Sequence, residues 1–155
     1  MLVREVMTSP VRTVTQDTPV RRAIRVLHEN DITAAPVVDA AGELVGVVSE
    51  MDLLRGEFEP DPRAFARPVR AETGPPPRRV ADVMTREVVT VTENTDAAVL
   101  VGLMVSKRIK SLPVLRGRRV VGIVSRRDLL RMLARSDDEL RAEVLARLAE
   151  QYPGE

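Results

Sequence analysis

The chain repeats itself, and that repeat limits what it can fold into. Val6-Met7-Thr8 recurs as Val83-Met84-Thr85, and Thr13-Val14-Thr15 as Thr90-Val91-Thr92. Ala35-Pro36-Val37-Val38 recurs as Leu112-Pro113-Val114-Leu115, and Gly46-Val47-Val48-Ser49 as Gly122-Ile123-Val124-Ser125. The copies are 77 residues apart up to Asp39 and 76 apart from Gly46 onward, because the second copy is one residue shorter in a turn. A repeat of about 50 residues is too small to bury a comfortable core alone. The expected architecture is therefore one pseudo-symmetric domain of two halves, with paired sites where the halves meet.

Each copy reads as strand, helix, strand, strand, helix, an α/β pattern. In the first, Val11 to Thr15 is β-branched and suits a strand. Thr18 is placed to cap a helix and Pro19 to open it. That helix runs to about Glu29, with Val20, Ala23, Ile24 and Leu27 on one face, and Asn30-Asp31 ends it. Pro36 to Val38 and Leu44 to Val48 form a hairpin about Asp39 to Gly42, and Ser49 opens a short helix through about Leu54. In the second copy Thr95 is expected to cap a helix from Asp96 to Ser106. Its near-continuous apolar surface predicts burial on more than one side, and Leu103 and its neighbours are expected in a subunit interface. Met7 and Met84 are expected to plug the core.

The expected boundaries are unit one at 1–56, a Pro-rich linker at 57–79, unit two at 80–135 and a C-terminal amphipathic helix at 136–155. The linker holds both phenylalanines, Phe58 and Phe65, and a helical turn is expected near Arg63 to Arg67. The tail helix is expected to be capped by Ser136, with Leu140, Val144, Leu145 and Leu148 as its stripe.

Composition removes several function classes. Aromatic residues make up 2% of the chain and the formal net charge is +1, so stacking platforms and a basic field for nucleic acid are both missing. There is no cysteine and a single histidine, His28, so no thiol nucleophile, zinc cluster or nucleophile–base–acid set is visible. No catalysis and no metal are expected. No signal-peptide layout or long apolar run is present, and the expected location is the cytoplasm, with no membrane partner.

The chemistry sits in Ser49-x-x-Asp52 and Ser125-x-x-Asp128. Each follows a strand and opens a helix. Taken singly, either is a capping box, with Ser as cap and Asp folding back. Taken twice, behind Gly-apolar-Val, the pair suggests a nucleotide site. A helix start can offer amides to an anion, and a carboxylate can accept two hydrogen bonds from a ribose diol.

These motifs, with the apolar-Pro strand, resemble the cystathionine β-synthase (CBS) domain, and the tandem pair resembles the Bateman module over residues 1–135. The resemblance implies two β-α-β-β-α units, each a small three-stranded sheet with two helices, packed sheet to sheet. It also implies clefts for an adenosyl ligand such as AMP, ADP, ATP or S-adenosylmethionine. Each cleft would draw on both halves. The first would combine Thr8, Arg12, Thr13, Ile32, Thr33 and Ala34 with Ile123, Ser125 and Asp128, aided by Arg126 and Arg127. The second would combine Thr85, Val89, Thr90, Ile109, Lys110 and Ser111 with Val47, Ser49 and Asp52. Asp52 and Asp128 would hold the ribose, backbone at Ala34 and Ser111 would read the adenine edge, and Ile32 and Ile109 would lie against its face. Lys110 stands opposite a neutral Thr33 in the repeat, and Glu50-Met51 opposite Arg126-Arg127, so the clefts should differ, with the Asp128 cleft slightly favoured.

The function this implies is regulatory sensing. No cofactor is required beyond the regulatory ligand itself, and the expected partners are a second copy of the chain in a homodimer and a downstream protein. The alternatives are a ligand-free dimerisation scaffold or a regulatory fragment of a larger protein. The tail, Ser136-Asp-Asp-Glu-Leu-Arg, resembles the first helix of a BON domain, which follows CBS pairs in some bacterial proteins.

Overall fold

The computed structural model describes residues 1–58 and 78–151. Phe65, the helical turn expected near Arg63 to Arg67, and Tyr152 lie outside them. Each half holds one three-stranded sheet. The first has the order β1 (Val14–Thr15), β2 (Ala34–Val38), β3 (Leu44–Ser49), and the second the order β4 (Val91–Thr92), β5 (Ser111–Arg116), β6 (Arg119–Ser125). In both sheets the first pair is parallel and the second antiparallel. The sheets meet where β2 lies against β6.

Helices α1 (Val20–Glu29) and α2 (Glu50–Glu57) cover the first sheet. The second half carries α3 (Val80–Val83), α4 (Ala97–Lys107) and α5 (Arg126–Gln151). α1 buries Val20, Ala23 and Leu27, the i, i+3 and i+7 positions of its stripe. Its cap differs from the expected one. Pro19 stands extended at the N-cap, and the Thr18 hydroxyl instead accepts the Thr15 N–H at 3.1 Å. That bond turns the chain out of β1 after Thr15. The second half repeats the device. Thr95 accepts the Thr92 N–H at 3.1 Å, and Asp96 caps α4 by accepting the Ala98 N–H at 2.8 Å.

α4 buries Leu100 and Met104, while Val99, Val101 and Val105 are exposed. A single chain thus covers one side of this apolar helix, where burial on several sides was expected. The tail also differs. α5 runs unbroken for 26 residues, so Ser136 lies inside a helix rather than capping a new one. Between Arg126 and Gln151 there is no Gly or Pro to interrupt it.

The two cores are assembled crosswise. Val3 and Val6 are buried with Leu100, Leu112, Val114 and Val124 of the second half. Val80 and Met84 are buried with Val20, Leu27, Val37 and Val48 of the first. Backbone pairing fixes the exchange: Val3 N–H donates to Thr95 at 2.8 Å, and Val80 N–H donates to Thr18 at 2.8 Å. Met84 fills the first core, and Met7 packs partly buried against the second.

The crossing segments explain the proline and glycine of each copy. Thr85 exchanges both backbone hydrogen bonds with Val47, each at 2.9 Å, and Thr8 does the same with Ile123 at 2.8 and 3.2 Å. Val47 and Ile123 therefore turn their polar groups away from Pro36 and Pro113, their partners across the hairpins. Pro36 needs no N–H toward β3, and on its other side β1 reaches only Val37 and Val38. The prolines thus sit mid-sheet without breaking a ladder. Gly46 faces the same crossing: a Cβ there would stand 2.8 Å from the Thr85 carbonyl oxygen.

Candidate functional site

Both Ser-x-x-Asp motifs form capping boxes. Ser49 accepts the Asp52 N–H at 3.2 Å, and Asp52 Oδ2 accepts the Ser49 N–H at 3.0 Å. Ser125 and Asp128 repeat this at 3.4 and 2.8 Å. One carboxylate oxygen of each Asp is committed to its helix. The other faces a cleft. Asp52 Oδ1 accepts from Arg55 at 2.6 Å, and Asp128 Oδ1 accepts from Thr8 Oγ1 at 3.1 Å. Both carboxylates are about nine-tenths buried (9% side-chain exposure each) yet keep an edge on open space.

The helix starts offer an anion less than the sequence suggested. Glu50 N–H donates to the Thr33 carbonyl at 2.9 Å and Arg126 N–H to that of Lys110 at 3.0 Å. With the third amide of each helix held by its Ser cap, most first-turn donors are used within the chain. Positive charge in the clefts therefore comes from side chains.

The Asp128 cleft has a volume of about 170 Å³ and is lined by Thr8, Ile32, Thr33 and Ala34 from one half and by Ile123, Ser125, Arg127 and Asp128 from the other. The Asp52 cleft is about 610 Å³ and is lined by Val47, Ser49 and Asp52, facing Thr85, Val89, Ile109, Lys110 and Ser111. Thr33, Ala34, Ser111, Ser125 and Arg127 line both, so the clefts are neighbours across the pseudo-twofold. Small-molecule pockets commonly have volumes of roughly 300–1,000 Å³. Space therefore favours the Asp52 cleft, against the preference drawn from sequence.

Four expected site residues are placed elsewhere. Arg12 and Thr90 line neither cleft, and Thr13 lines a separate depression with Met7, Glu93 and Arg116. β1 begins at Val14, three residues after its expected start, and β4 at Val91, so Thr13 and Thr90 stand just ahead of the strands. Arg126 lines the Asp52 cleft, not the Asp128 cleft. As the first residue of α5 it points away from the Asp two positions on.

Sequence reasoning passed over Asp31 and Arg108, at equivalent positions of the repeat. Both are non-glycine residues in the left-handed region, with φ of 51° and 54°, and each ends the helix before the apolar-Pro strand. Asp31 pairs with Arg127 at 3.4 Å across the mouth of the Asp128 cleft. Arg108 lines the Asp52 cleft, where its partner position holds the uncharged Met51. The Asn30-Asp31 helix stop was the one clue to this position. Glu87 and Val88 also line the Asp52 cleft, along with Glu50. His28 is exposed on α1. Among the described residues no cluster of three His, Cys, Asp or Glu could hold a metal ion, and no helix is long and apolar enough to cross a membrane.

Comparison with known proteins agrees with this architecture. The family model described as the CBS domain matches twice, at residues 3–59 and 80–135. An uncharacterized protein of Methanocaldococcus jannaschii is 30% identical over 135 residues, which is 85% of this chain and 32% of that protein. The chain thus spans about a third of that relative's length. Two solved structures are similar throughout. The CBS domain pair of protein MJ0100, in complex with 5′-methylthioadenosine and S-adenosyl-L-methionine, is 26% identical with a TM-score of 0.72, covering 88% of this chain and 98% of that one. CBSX2 in complex with AMP is 27% identical with a TM-score of 0.69, at the same coverage of 88% and 98%.

Proposed function

This chain belongs to the CBS-domain family and carries two copies of the domain, and from that premise we propose that it is a regulatory module, not an enzyme, that binds an adenosyl ligand between its halves. The observation that carries this reading is the placement of Asp52 and Asp128. Each leaves one buried carboxylate oxygen facing a cleft whose opposite wall comes from the other half. A ribose diol would replace Arg55 or Thr8 at that oxygen. Backbone at Ala34 and Ser111 would meet the adenine edge, and Ile32 and Ile109 its face. The ligands held by the similar structures, 5′-methylthioadenosine with S-adenosyl-L-methionine in one and AMP in the other, support the adenosyl class.

Because each cleft has walls from both halves, a ligand that binds one relative orientation of the halves better than another shifts the balance between them. A downstream protein would read that shift. Met51, Leu54, Val99, Val105, Leu130 and Leu133 are exposed and apolar, which supports a homodimer formed through helix faces. The unbroken α5 supports reading the tail as an extension of the second half rather than the opening of a BON-like domain. A cytoplasmic site of action fits the same reading.

Calorimetric titration of the wild type, Asp52→Asn and Asp128→Asn with AMP and with S-adenosylmethionine tests the proposal. Each variant is expected to lose binding in its own cleft and keep the other. At a hundredfold excess over its dissociation constant, a ligand should add about 2.7 kcal/mol of stability. If no adenosyl ligand binds the wild type below millimolar concentration, the sensing reading is wrong and a ligand-free scaffold takes its place.

A further inference from the structure

Arg127 lines both clefts and pairs with Asp31 of the other half at 3.4 Å. The pair stands at the mouth of the smaller cleft. The same two repeat positions at the larger cleft hold Arg108 and Met51, which cannot pair. The larger cleft also contains Lys110 and Arg126, and among the described residues neither these two nor Arg108 has a side-chain ion pair. Three acids, Glu50, Asp52 and Glu87, share that wall. With Arg127 the basic side chains outnumber the acids by one, and Asp52 is already held by Arg55.

We propose that Arg127 is a shared specificity residue: a phosphorylated nucleoside in the Asp52 cleft draws it away from Asp31, so that the first ligand is selected for phosphate and its binding opens the Asp128 cleft. The proposal rests on the adenosyl-binding reading above and adds the ligand's charge class and the order of filling. A guanidinium donates a planar pair of N–H groups that a phosphate accepts as well as a carboxylate does. Asp31 is a weak competitor, since it is 87% exposed and Arg127 is half exposed. A dianionic phosphate between Lys110, Arg108 and Arg126 outbids it. Once Arg127 leaves, the mouth of the smaller cleft loses the side chain that spans it. An uncharged nucleoside has no group to attract Arg127 and leaves the latch closed.

Because the latch is an exposed ion pair, the coupling should be modest, about two- to fivefold in affinity. The test is calorimetric titration of the full chain with AMP and with adenosine, on the wild type, Arg127→Met and Asp31→Asn. Methionine is what the first half carries at the position of Arg127, and asparagine tolerates the left-handed backbone of residue 31. In the wild type AMP should bind more tightly than adenosine, and the second AMP should bind two- to fivefold more tightly than it does with the first cleft disabled by Asp52→Asn. Arg127→Met should reduce the AMP-to-adenosine preference of the Asp52 cleft roughly tenfold. Asp31→Asn should strengthen the first AMP two- to fivefold and abolish the coupling. An unchanged AMP-to-adenosine ratio in Arg127→Met, or coupling that survives in Asp31→Asn, overturns the proposal and leaves adenosyl binding intact. If neither AMP nor adenosine binds the wild type, the adenosyl reading itself fails.

Discussion

Thr8 and Asp128 lie 120 positions apart in the chain, yet the Thr8 hydroxyl donates to Asp128 Oδ1 at 3.1 Å. The bond exists because the N-terminal segment leaves its own half and pairs with β6 of the other, where Thr8 and Ile123 exchange backbone hydrogen bonds. It ties a site carboxylate to the segment that crosses between the halves.

The symmetric position is not used in the same way. Thr85 crosses beside Asp52, but there Arg55 holds the free carboxylate oxygen. Thr8→Val should therefore lower stability by about 1 kcal/mol, and Thr85→Val by less. Urea denaturation of the two variants measures this, and equal losses would contradict it.

The glycines give a graded series. Gly46→Ala places a methyl 2.8 Å from a backbone oxygen, and Gly122→Ala places one 2.7 Å from the Met7 sulfur and 3.1 Å from the Thr8 oxygen. Backbone cannot yield as a flexible methionine can, so Gly46→Ala should be the more damaging, on the order of 2 kcal/mol or more. Gly102 lies within α4 with nothing within 4 Å of the added methyl. Gly102→Ala should stabilise by roughly 0.5–1 kcal/mol through helix propensity. Thermal melts of the three variants should rank in that order.

Crosswise cores predict crosswise damage. Val3 and Val80 are both fully buried, each in the half to which it does not belong by sequence. Truncation to alanine should cost about 2 kcal/mol in either case. With Val3→Ala, amide protection should fall first in Leu112 to Val114. With Val80→Ala it should fall first in Ala35 to Val37. Hydrogen exchange that weakens the sequence-local half instead would refute the exchange of segments.

Glu93 supplies a pH test. Arg116 donates to both its carboxylate oxygens, at 2.7 and 2.9 Å. That hydrogen-bonded pairing, aided by the charges of Arg116 and Arg4, holds the Glu93 pKa below the ordinary glutamate value against a smaller desolvation effect. Because the folded-state value is the lower one, the pair's contribution is present above the unfolded value and is lost as pH falls through the folded one. Glu93 is half-buried but Arg116 is largely exposed, so the contribution to stability is small. NMR titration of the Glu93 carboxyl should show a depressed midpoint that Arg116→Gln returns to normal.

The repeat, the strand and helix order, the hairpins and both capping boxes could be read from residues alone, because each depends on neighbours within a few positions. Ser49 with Asp52, Ser125 with Asp128 and the Val20-Ala23-Leu27 stripe are local patterns with local causes. Thr18 and Thr95 do not cap the helices as their positions suggest, because a hydroxyl at a helix entrance has two amides in reach, and which it takes depends on how the preceding strand is paired. The composition of each core, the unequal volumes of the clefts, the move of Arg126 to the other cleft and the Asp31–Arg127 pair were decided only in three dimensions. In each, residues far apart in the chain meet because the two halves pack against each other and exchange their leading segments, and a repeat compared with itself holds no record of that packing.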